Sequence, residues 1–231
     1  MINNKPISNR TFAILVLSIV AVLIVLGCIS AKAQNSDTTI VIHKTYTSVF
    51  CNSAHIPILV YYTLHKIDLD CSVHIKRTNN FKADPLLKGT DLSKDYAGSG
   101  YDQGHNMPAQ DNQCSSIAMS ECFYYTNMFP QTPNLNRGVW KKLEIHERDL
   151  AMQEDSIIVF IGSYGMHKAI GPDQVWVPEY CWKVIYEPAK SQYTSYVYSN
   201  TDAAEAIKLP DTNMQGKWMH YVINHFTKYK Y

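Results

Sequence analysis

The sequence offers a partner little net charge: 21 Lys and Arg stand against 20 Asp and Glu, a formal +1. A chain held to a polyanion by bulk positive charge is more basic than this, so any such contact has to be local. There is no low-complexity tract and no internal repeat, which excludes solenoid and collagen-like chains. There is no C-x-x-C pair and no Cys/His spacing of a zinc site. No Pro/Ser-rich linker divides the chain, and its elements do not alternate in a βαβ rhythm. What it does have is core material: 46% of its 231 residues are hydrophobic and 18% charged, which suits one large domain.

The N-terminus reads differently from the rest. Lys5 and Arg10 precede an apolar run from Phe12 to Ile29, followed by Ala31-Lys32-Ala33 before Gln34. A charged start, an apolar stretch and an A-x-A site predict a signal peptide over residues 1–33, cleaved after Ala33. The alternatives are a lipoprotein acylated at Cys28 and an uncleaved membrane anchor. All three predict an exported domain over residues 34–231, periplasmic or secreted. Cleavage removes three basic residues and no acid, leaving a formal charge of −2. Cys51, Cys71, Cys114, Cys122 and Cys181 remain, an odd set in a compartment that favours disulfides. Cys51 with Cys71 is one candidate bridge, and Cys181 with Cys114 or Cys122 another.

Runs rich in β-branched and aromatic residues predict strands at Thr39–Val49, Ile58–Leu64, Ser156–Ile161, Val175–Ile185 and Tyr193–Tyr198. Residues 77–104 carry Pro85 and several Gly, Asn and Asp without periodicity, and read as a long ordered loop. Helices are predicted over Met119–Tyr125, over Arg137–Met152 with Asn134 or Asn136 as N-cap, and over Lys217–Phe226. The fold class is therefore α+β, with a mainly antiparallel central sheet flanked by helices.

The chemistry concentrates in Asp102-Gln103-Gly104-His105 and the stretch after it. Gly104 permits close backbone approach, Pro108 ends any strand, and a histidine pinned in such a turn is placed to act as a general base. Asn127 and Asn136 offer neutral amide oxygens, which hold a hard cation loosely. Asn136, Trp140, Glu144 and Arg148 recur every fourth residue, a slowly turning stripe on one helix. Each residue has an ordinary alternative: a loop histidine, a helix-end asparagine, a surface Glu–Arg pair.

Together they resemble one family. The pattern D-x-G-H-x-x-P, then F-Y-x-x-N-M-x-P-Q-x-P-x-L-N-R-G-x-W-x-x-L-E-x-x-x-R, is similar to that of the DNA/RNA non-specific endonucleases, metal-dependent enzymes with a ββα-metal active site. The resemblance implies that His105 is the general base and Asn136 the side-chain ligand of a single Mg²⁺, with Mn²⁺ or another divalent cation as substitute. It implies that Glu144 holds the metal's water shell, that Arg148 lies near the phosphate, and that Asn127 is a supporting amide. Arg77 resembles a second phosphate-binding arginine. DNA and RNA are the implied substrates, and the family includes homodimers. One position departs: Gln103 stands where the family has arginine, removing a cation from the substrate side. A non-catalytic nucleic-acid- or phosphate-binding relative of the same fold is the alternative, and the 16 tyrosines leave an adhesive domain as a third.

Overall fold

The structure, a computed structural model, describes residues 37–206. The signal-peptide segment and the helix expected over Lys217–Phe226 lie outside the described residues. Six strands form one antiparallel sheet in the order β1 (Thr38–Ile42), β2 (Thr47–Cys51), β3 (Ile56–His65), β6 (Ser156–Tyr164), β9 (Tyr180–Glu187) and β10 (Gln192–Ser199). Two small antiparallel pairs accompany it: β4 (Asp102–His105) with β5 (Met128–Gln131), and β7 (Lys168–Ile170) with β8 (Val175–Val177).

The β-branched runs fall where expected, with two refinements. Thr39–Val49 divides into β1 and β2, and Val175–Ile185 breaks into β8 and β9 around Pro178 and Glu179. Pro57 lies inside β3 rather than before it. It sits opposite Phe50, next to the register shift between Val49 and Phe50, an irregularity that tolerates a residue lacking an N–H donor. β3 alternates buried with more exposed positions over much of its length, whereas β9 is buried at nearly every residue. β9 is thus covered on both faces, and an ordinary apolar strand would suffice there. It carries Lys183 instead.

Helices are few. The first expected one is shorter and earlier, Ser116–Glu121, capped by the Ser115 side chain accepting from the Ala118 N–H. The second is not a single α-helix. Leu135–Trp140 forms a wide π-helical turn with a break at Gly138 (φ −100°, ψ −107°), and the regular helix runs from Lys141 to Glu154. Neither asparagine caps it: Asn134 donates to the Asp202 carbonyl, and Asn136 to Asp102.

The long helix buries Leu143, Glu147 and Ala151. An acid in this apolar phase is explained by Lys183, whose Nζ lies 2.9 and 3.0 Å from the two Glu147 carboxylate oxygens, both side chains being fully buried. The same ammonium sits 4.7 Å from the centroid of the Trp140 ring. Removing one partner of such a pair leaves an uncompensated buried charge. Lys183→Met is expected to destabilise the fold by about 3–5 kcal/mol, and adding Glu147→Leu should recover most of that loss. Urea unfolding of the single and double variants checks this; equal losses in both would mean that packing, not charge pairing, is what Lys183 supplies.

Candidate active site

β4, β5 and the helix after them form the ββα unit that carries the predicted residues. β4 holds Asp102 and His105 three residues apart, opposite Gln131 and Met128. Gly104 is required by close approach, not by an unusual φ: a Cβ there would lie 2.2 Å from Gln131 Oε1. The turn after His105 is braced by Asn127. Its Nδ2 donates to the Met107 and Cys122 carbonyls, and its Oδ1 accepts from the Met107 N–H. The Asn127 carbonyl accepts from the Asn106 backbone. Asn127 is fully buried, so its amide supports the His105 turn from behind.

His105 is buried, with the rings of Phe81 and Phe123 in T-shaped contact with it at centroid distances of 5.5 and 5.0 Å. Its ring makes a hydrogen bond to the Gln103 backbone, while Nε2 is buried without a partner. Burial, with the positive charge of Arg77 adding to it, lowers its pKa to about 3. At neutral pH it is therefore an uncharged imidazole with a free nitrogen. Arg77 itself is exposed, its guanidinium 5.1 Å from the centroid of Phe123, the ring that also touches His105. Gln103 is half-buried and its side chain is hydrogen-bonded to Tyr125.

Asp102 organises the other side. It accepts from Asn136 Nδ2 at 2.8 Å and from Arg137 Nε and Nη2 at 2.8 and 2.6 Å. With its nitrogen committed, the Asn136 amide turns its oxygen away from Asp102 as an available acceptor. Glu144 and Arg148 do not form the i,i+4 pair their spacing suggested. Arg148 Nη1 donates instead to Asp111 Oδ1 at 3.0 Å, and the Tyr62 hydroxyl donates to Asp111 Oδ2 (3.3 Å) or Glu147 Oε2 (3.4 Å). Asp111, Tyr62, Glu147 and Lys183 thus continue the ionic cluster into the core.

Burial pushes the Asp111 carboxyl up to about 6, against the pull of Arg148. Glu144 is raised to about 7, first by burial and then by Glu147 and Asp111, with Lys183 and Arg148 opposing. Sequence reasoning missed Asp111, Glu147 and Lys183. Signals existed for the last two: an acid at a core-facing helix position and a lysine within an apolar strand.

These donors suit a hard divalent cation held loosely. The Asn136 oxygen is oriented and uncommitted, and Glu144 is a half-buried carboxylate. Among the described residues no group of three His, Cys, Asp or Glu could hold a metal ion. A cation at Asn136 would therefore draw most of its shell from water and substrate oxygens, an arrangement Mg²⁺ favours.

The raised Glu144 pKa has a stability cost of defined sign. The folded value, about 7, exceeds the ordinary 4.5, so its contribution is fully favourable below 4.5 and is lost as pH rises through 7. In chelator, Glu144→Gln is expected to stabilise the fold by roughly 1–2 kcal/mol at pH 8 and to change little at pH 4. Urea unfolding at the two pH values checks it; destabilisation at pH 8 would contradict the assignment of a burdened carboxylate.

Comparison with known proteins agrees with the motif pattern. The DNA/RNA non-specific endonuclease family model (Endonuclease_NS) matches residues 28–231. The chain is 37% identical over 130 residues to the mitochondrial endonuclease G of Bos taurus, covering 50% of this chain and 44% of that protein. It is 31% identical over 154 residues to the mitochondrial nuclease EXOG of Xenopus laevis, covering 58% and 43%. The chain thus spans under half the length of these two relatives. A solved chain from the EndoG/EndoGI complex shares the fold, with a TM-score of 0.67 over 83% of this chain and 84% of that one, at 23% identity. A family match over most of its length, carried on a ββα unit, makes this chain a member of the DNA/RNA non-specific endonuclease family.

Proposed function

We propose that the chain is an exported, metal-dependent endonuclease that hydrolyses phosphodiester bonds in DNA and RNA without strong sequence specificity. The observation that carries this reading is His105: a buried, neutral imidazole whose Nε2 has no partner, beside an exposed arginine. Such a group can take the proton of an attacking water at neutral pH. The hydrogen bond to the Gln103 backbone fixes the ring, and Phe81 and Phe123 limit water around it.

Arg77 would offset charge on the bound phosphate, and Arg148, oriented by Asp111, would do so from the helix. A single divalent cation, Mg²⁺ or in its place Mn²⁺, would be held by the Asn136 oxygen, with Glu144 oriented toward its water shell. When bound, it supplies charge relief to the phosphate and lowers the pKa of coordinated water. Contacts made through phosphate alone carry no base information, hence the expected indifference to sequence. Export is supported by the leader-like N-terminus and by the Cys71–Cys114 disulfide, a bond characteristic of oxidising compartments.

The test is incubation of the purified protein with supercoiled plasmid and with RNA, in Mg²⁺, in Mn²⁺ and in chelator. His105→Ala is expected to lower turnover by about two orders of magnitude or more with folding intact. Activity near that of the unaltered protein would sink the assignment of the base. Gln103→Arg is expected to hold or raise activity; a large loss would mean that Gln103 has a role of its own at Tyr125. No cutting under any condition would favour the non-catalytic binding relative.

A further inference from the structure

The expected staples do not form. Cys71 pairs with Cys114 across 43 residues, while Cys51, Cys122 and Cys181 are buried and lie outside any disulfide of the described residues. The place of this bridge is informative. Residues 70–92 have no helix and no strand beyond an isolated bridge of Lys82 to Tyr124. Such a segment is ordered only where it is tied down, because each fixed residue costs backbone entropy.

Upstream of Arg77 the polar and covalent ties converge on two residues. Cys71 is bonded to Cys114, the Ile75 N–H donates to the Gln113 carbonyl at 2.7 Å, and His74 Nδ1 lies 3.1 Å from Gln113 Oε1. Ile75 then packs on the small cluster of Ala109, Met119, Cys122 and Phe123. Two residues on, Arg77 lies over Phe123. Downstream the chain is fixed again when the Lys82 N–H donates to the Phe123 carbonyl at 3.1 Å. The hydrogen bond from Arg77 Nε to Asn79 Oδ1 is internal to the loop and cannot anchor it to the body.

The far end of the bridge is equally placed. Gln113 and Cys114 directly follow the short 3₁₀ turn Ala109–Asn112, which carries Asp111, the partner of Arg148. One covalent link therefore ties the loop bearing one candidate phosphate-binding arginine to the turn that orients the other.

We propose that the Cys71–Cys114 disulfide is a positioning device for Arg77, holding its guanidinium over Phe123 beside His105; its link to catalysis rests on the nuclease reading above. Cys71 and Cys114 are half-buried, so the bridge is within reach of small thiols. A dithiol that reduces it becomes a cyclic disulfide, and its two electrons and two protons leave Cys71 and Cys114 as thiols.

The experiment is a cycle on the full-length protein: the Cys71→Ser/Cys114→Ser variant, Arg77→Ala, and the three changes combined. Wild type reduced with a dithiol is run beside the Arg77→Ala variant reduced likewise, which repeats the comparison should the serine variant not fold. Two readouts are taken, kcat and KM on a short duplex with Mg²⁺, and the titration of the His105 ring by NMR in chelator. Opening the bridge is expected to raise KM roughly three- to tenfold with a smaller change in kcat, and to add under about twofold once Arg77 is alanine. The His105 titration should move upward on opening the bridge, as it does on removing the Arg77 charge, with no further rise in the combination. Equal effects of opening the bridge with and without Arg77 would make it a general stabiliser and overturn the proposal, as would no effect at all. Absence of cutting by wild type would sink the nuclease reading alone, because the NMR arm decides the positioning without turnover.

Discussion

Lys183 and Glu147 meet between the central sheet and the long helix with no access to water, and the placement of the helix's other charged groups follows from that contact. Leu143 and Ala151 on the same face bring the helix down on an apolar surface, but apolar contact is non-directional and tolerates small slides. A carboxylate whose two oxygens both lie near one ammonium tolerates neither a slide nor a rotation. Trp140 adds its ring face to the same ammonium, so both ends of the first helical turns refer to one atom on β9. Glu144 and Arg148 lie within one turn of Glu147, and their directions are inherited from it.

That arrangement divides the site electrostatically. Around His105 the environment is aromatic and dry, and its charge-bearing neighbour is a cation, so the imidazole is kept neutral. Around Glu144 burial comes first, and Glu147 and Asp111 add to it against Lys183 and Arg148, so the carboxyl is raised to about 7. Both perturbations disfavour the ionised form: His105 is left a neutral imidazole with an unpartnered Nε2, and Glu144 a carboxyl whose ionised form would be favoured by a nearby cation.

Much of this was legible in the sequence. The strands were, because β-branched and aromatic runs pack on a pleated sheet wherever they occur. The residues of the ββα unit were, because Asp102, His105, Asn127, Asn136, Glu144 and Arg148 lie within one continuous motif. Partnerships were not. Glu144 with Arg148 is the local pairing that helix geometry suggests, yet Arg148 is taken by Asp111 from the 3₁₀ turn 37 residues earlier. The disulfide was not legible either, since Cys71 meets Cys114 only because an irregular loop returns to that turn. Asn136 read as a cap because asparagines near helix ends usually are; here its side chain is turned by an Nδ2 hydrogen bond donated to the Asp102 carboxylate on a neighbouring strand. In each case a long-range contact displaced a local rule.

The break at Gly138 gives the site a further property. Residues before it, Asn136 and Arg137, are bound to β4 through Asp102. Residues after it are bound to the sheet through Glu147 and Lys183. A continuous α-helix would couple these two attachments rigidly, since its hydrogen-bond ladder resists bending at every step. Here one residue without a side chain, at φ −100° and ψ −107°, joins them. The break at Gly138 thus falls between the two attachments of the candidate cation site, so the Asn136 oxygen takes its direction from β4 and the Glu144 carboxyl takes its direction from the sheet.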